Sequence, residues 1–90
     1  GVVVVSLTVD SQYRLLGPVQ LQTRGSVFSS EDGDTFRQLE RAVVSSLEQF
    51  ARIPGAKPET LPTEIRKRIR EVFGHISRNY PTIVPLITRI

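Results

Sequence analysis

Cysteine, methionine and tryptophan are absent from the sequence, and histidine occurs once. Without cysteine there is no disulfide framework, no thiolate zinc site, no thiol nucleophile and no redox switch. A lone histidine, His75, is not a constellation for acid–base or metal chemistry, and its expected place is a helix surface or boundary. No apolar run approaches the roughly 20 residues needed to cross a bilayer, so no membrane partner is expected. Glycine-rich patterns that cradle phosphates, of the P-loop or dinucleotide kind, are missing. The pair Asp32 and Asp34 sits in a polar turn, where turn and cap chemistry accounts for both. This inventory points away from independent catalysis and implies no cofactor in the chain itself.

The 90 residues amount to a single domain, and a chain this short buries only about 60–65% of the surface its unfolded form exposes. The hydrophobic fraction of 39% and charged fraction of 23% are those of an ordinary globular domain rather than a disordered chain. The sequence opens at Gly1 directly before four valines, with no initiator methionine and no secretory signal. The expectation is a piece of a longer, intracellular parent.

Val2 to Val9 is β-branched and reads as a strand, with Val3, Val5, Leu7 and Val9 on one face and Val2, Val4, Ser6 and Thr8 on the other. Asp10 to Gly17 reads as the connection to a second strand in which Val19, Leu21 and Thr23 alternate with Gln20, Gln22 and Arg24. Gly25 predicts a bulge before Val27 and Phe28. Asp34 is a candidate N-cap for a helix whose apolar face carries Phe36, Leu39, Val43, Leu47 and Phe50 and which ends near Ile53. Pro54 to Pro62 reads as a loop. A second helix starts between Thr60 and Thr63, carries Ile65, Ile69, Val72, Phe73, Ile76 and Tyr80, pairs Glu64 with Arg68, and stops at Pro81. Thr82 to Ile90 is a third strand, and Pro85, which cannot donate to a ladder, places it at an edge or with that position facing outward. The predicted fold is α+β, in the order ββααβ: a two-layer structure with two helices on one face of a three-stranded sheet.

Two surfaces follow from this arrangement. Two helices cover one face only, while the first and third strands carry apolar residues on both, so the second face is covered by another chain or domain, closed by twist and the chain ends, or left as a patch. Charge is also uneven: the last thirty residues carry six bases against two acids, for +4, within a chain of net charge +3. Arg66, Lys67, Arg68 and Arg70 crowd the second helix with Arg78 beyond, which fits either a solvated helix face or a surface for phosphates. RNA-binding modules of the KH and RRM kinds are not present as motifs.

Three segments together resemble the C-terminal domain of ribonuclease J, within the metallo-β-lactamase and β-CASP ribonucleases: GVVVVSLTVD, LLGPVQLQTRGSVF and YPTIVPLITRI. The most specific steps are Thr23-Arg24-Gly25 and the ending Pro81-x-Ile83-x-Pro85-Leu86-Ile87; Ser26 stands where the family usually has an aromatic. The resemblance implies a cytoplasmic parent that degrades and processes RNA with zinc ions, as a 5′-to-3′ exonuclease and an endonuclease. It places the metal ligands, of the His-x-His-x-Asp-His kind, in preceding catalytic domains, so no catalytic or metal-binding residue falls in this chain. It implies for residues 1–90 an accessory C-terminal role in assembly as a dimer or tetramer. Val2, Val4, Val84 and Leu86 are then the candidate interface, with RNA as the parent's substrate. In the alternative reading the chain guides RNA to the parent's catalytic domain through Arg66, Lys67, Arg70 and Arg78.

Overall fold

A computed structural model describes residues 1–24, 33–74 and 82–90. Strand β1 spans Val2–Val9, β2 Leu15–Arg24, helix α1 Gly33–Arg52, a short 3-10 turn Pro58–Thr60, helix α2 Leu61–Gly74 and strand β3 Thr82–Arg89. The α+β class and the order ββααβ agree with the sequence reading. The sheet order, which alternation alone leaves open, is β2-β1-β3, with β1 antiparallel to β2 and parallel to β3.

Alternation along β1 decides the layering. Val3, Val5, Leu7 and Val9 are all buried and form one core with Leu39, Val43 and Leu47 of α1, Leu61, Ile65, Ile69 and Phe73 of α2, and Val19 and Ile83 of the flanking strands. Both helices therefore lie on one face. The α1 stripe recurs every three or four residues, as a buried helix face requires, and Ser46 joins it by donating its hydroxyl to the Ala42 carbonyl one turn back.

Several boundaries differ from the sequence reading. Strand β2 begins at Leu15, inside the stretch read as a connection. The register shifts between Ser6–Gln20 and Thr8–Leu16, so Gly17, Pro18 and Val19 stand against Leu7 alone. Gly17 takes a φ of +74°, which glycine adopts without strain. The Gly-Pro step is thus an irregularity within the strand and not its start. The actual turn is shorter: an Asp10 carboxylate oxygen accepts from the backbone N–H of Gln12 at 2.8 Å and of Arg14 at 2.9 Å. Tyr13 there has a φ of +61°, and its ring packs edge-on against Phe50 at 4.9 Å with the Arg89 guanidinium 5.1 Å from its centre. The turn is thereby tied to both α1 and β3.

Asp34 lies inside the first turn of α1 rather than capping it, and stands 3.9 Å from Arg37. Residues 58–60 of the stretch read as loop form the 3-10 turn that leads into α2. The readings at Gly25, Val27, Phe28, Asp32, His75, Ile76, Arg78, Tyr80 and Pro81 lie outside the described residues.

Strand β3 is an edge strand. Thr82 N–H donates to the Gly1 carbonyl and Ile90 N–H to the Val9 carbonyl, so even-numbered residues bond to β1 and odd-numbered ones face outward. Pro85 falls on an outward position, where a missing N–H removes no ladder bond.

Candidate functional site

The face of the sheet away from the helices is built from the even positions of β1 and β3. Register sets Val4 beside Val84, Ser6 beside Leu86 and Val2 beside Thr82, with adjacent strands about 4.8 Å apart. Val2, Val4, Val84 and Leu86, the residues named from sequence, consequently form one continuous apolar strip. Val2 and Leu86 are 40% and 52% exposed, while Val4 and Val84 are half-buried by their neighbours. On β2 the same face carries Gln20, Gln22 and Arg24 beside the strip.

Sequence reasoning missed two members. Leu16, 44% exposed, pairs with Thr8 on this face, and Leu16 and Pro18 join Leu86 in framing a hollow of about 300 Å³ above Ser6 and Thr8. The Gly-Pro step hid them, because turn punctuation assigned Leu16 to a connection. No described residue lies over the face, whose helix side is by contrast filled.

The basic residues of α2 separate into different environments. Arg66 donates from Nε to the Ile83 carbonyl at 3.2 Å, across to the outer edge of β3. Arg68 turns the other way and donates to Ser45 Oγ at 3.1 Å and to Gln49 Oε1, joining α2 to α1, with its buried Nε left unpartnered among the described residues. The predicted Glu64–Arg68 pair is therefore replaced by contacts between the helices. Such a pair contributes only about 0.2–0.5 kcal/mol on a helix surface, and two hydrogen bonds to a neighbouring helix outweigh it. Lys67 and Arg70 are exposed, and with Thr63, Arg66, Glu71 and Gly74 they line a groove of about 420 Å³.

Among the described residues no group of three His, Asp or Glu side chains is placed to hold a metal ion. No described helix is long and apolar enough to cross a membrane. Among the described residues, Asp10 has a clearly shifted carboxyl, held below the usual carboxylate range chiefly by the Arg14 backbone N–H, with the Gln12 N–H and the Arg14 charge adding to it against partial desolvation.

The family model of the ribonuclease J C-terminal domain matches residues 1–90. The chain belongs to that family. A search of curated proteins found no match.

Proposed function

We propose that this chain is the non-catalytic accessory domain of a longer ribonuclease J-like enzyme and supports self-association of that enzyme through the open face of its sheet. The observation that carries the reading is the convergence of Val2, Val4, Val84 and Leu86 into one strip on a face that no described residue covers. In this reading the parent is a cytoplasmic, zinc-dependent exonuclease and endonuclease acting on RNA. Its metal ligands lie outside residues 1–90, and the assembly is a dimer or tetramer.

Magnitudes limit what the face does alone. Strands of eight residues are about 26 Å long and three of them about 14 Å wide, so the face spans less than half of the roughly 800 Å² per partner of a standard stable interface. The isolated chain should associate weakly, with the parent supplying the rest of the contact. Two copies related by a two-fold axis would present the same surface, including Leu16 and Leu86, to each other, as such symmetry requires.

The test is solution mass by light scattering over a wide concentration series, for the native chain, a Leu86→Lys variant and a Val4→Lys, Leu86→Lys variant, with circular dichroism to verify folding. Mass that rises with concentration in the native chain and stays monomeric in a folded variant supports the reading. A native chain that is monomeric throughout, or a folded variant that associates as well as the native chain, overturns it.

A further inference from the structure

We infer that the basic groove along α2, lined by Thr63, Arg66, Lys67, Arg70, Glu71 and Gly74, binds the phosphate backbone of RNA through Arg66, Lys67 and Arg70. This rests on membership of a ribonuclease family and on the groove, and is independent of self-association through the sheet. The three residues occupy one side of α2 within a single turn, a rise of about 6 Å. Like charges one turn apart disfavour a helix by a few tenths of a kcal/mol, and among the described residues no carboxylate pairs with any of them. Glu71 is the one acid in the lining.

Arg66 is already positioned. Its Nε is spent on the outward Ile83 carbonyl of an edge strand, which fixes the guanidinium plane and leaves the two Nη groups for a ligand in the groove it lines. A planar fork held in place loses less freedom on binding a phosphate than a free side chain does. The neighbouring Arg68 is committed to Ser45 and Gln49 and takes no part. Arg78 lies outside the described residues, so the inference does not use it.

The lining also separates ligand classes. Thr63, Arg66, Lys67, Arg70, Glu71 and Gly74 include no large apolar or aromatic side chain. A protein partner ordinarily needs such an anchor at the centre of its contact. A phosphate backbone needs only cations and N–H donors. Without stacking aromatics the groove tracks backbone and reads no sequence.

The experiment is fluorescence anisotropy of a short labelled uridine oligonucleotide with the 90-residue chain, titrated with potassium chloride. Three phosphate contacts predict a slope of log affinity against log salt of about −2, from about −0.7 per contact on single strands. A Lys67→Glu, Arg70→Glu variant keeps Arg66 and its β3 contact, so it should stay folded by circular dichroism while the slope falls below about −0.7 in magnitude and low-salt affinity drops at least about tenfold. An unchanged slope in the folded variant overturns the inference. Inorganic tripolyphosphate that competes as strongly as the oligonucleotide would reassign the groove to free anions. An oligoglutamate that binds with the same slope would reduce it to unspecific attraction, and either result overturns RNA as the ligand.

Discussion

Asp10 sets the turn between β1 and β2 with one carboxylate oxygen that accepts two backbone N–H groups. Because those bonds favour the ionised form, its folded pKa lies below the ordinary value of about 3.9. A depressed carboxylate contributes stability that is present above the unfolded pKa and is lost as pH falls through the folded one. The expected result is that Asp10→Ala is less stable than the native chain near neutrality, and that the difference shrinks below about pH 4. Urea unfolding at a series of pH values checks this, and a gap that is constant down to strongly acid pH would show that the carboxylate charge has no part. The sequence marks Asp10 only as the first polar residue after a strand. Its role depends on Tyr13 entering the left-handed region beside Phe50 and Arg89, and hydropathy patterns carry no information about that.

The elements were legible wherever periodicity was long. Val2 to Val9, the α1 stripe, the α2 stripe from Ile65 to Phe73 and Thr82 to Arg89 all stand where spacing put them. Strand β2 was legible only in its second half, because Gly17 and Pro18 are turn residues by composition and become a strand irregularity only through pairing with β1. Pro85 was read correctly for a physical reason: a residue without an N–H survives in a sheet only where none is needed. Pro85→Val should therefore leave unfolding free energy within about 1 kcal/mol, since the restored N–H faces solvent. Val84→Pro should destabilise the chain strongly, because it deletes a donor that points at β1 and is not replaced. Equal effects of the two substitutions in urea unfolding would contradict the outward phase assigned to the odd positions. Arg68 makes a complementary case between helices. Arg68→Ala removes the bonds to Ser45 and Gln49 along with the packing of its stem and should cost about 1–2 kcal/mol. Arg68→Met keeps the stem and eliminates the unpartnered Nε, so its loss should be smaller.

At the scale of the whole molecule, the helix side and the open side of one sheet carry different duties, and β1 serves both through its alternation. The core residues Val3 and Val5 are direct chain neighbours of the strip residues Val2 and Val4, so sequence proximity says nothing about which duty a valine has. Burial does. Phe73 is 2% exposed and Leu86 is 52% exposed. Phe73→Ala should cost about 3–5 kcal/mol, a large share of the stability a small domain possesses, and at roughly 4–8 °C per kcal/mol it should lower the melting midpoint by more than about 12 °C. Leu86→Ser should change the midpoint of the dilute chain by no more than a few degrees, because about half of that residue stays in water in the folded monomer. The same Leu86→Ser substitution should abolish the concentration dependence of the midpoint, since a partner that binds only the folded form raises apparent stability by mass action. Melting curves at low and high concentration separate these effects in one experiment. If Leu86→Ser destabilises the dilute chain as much as Phe73→Ala does, the open face belongs to the monomer's own core and the division of duties along β1 is wrong.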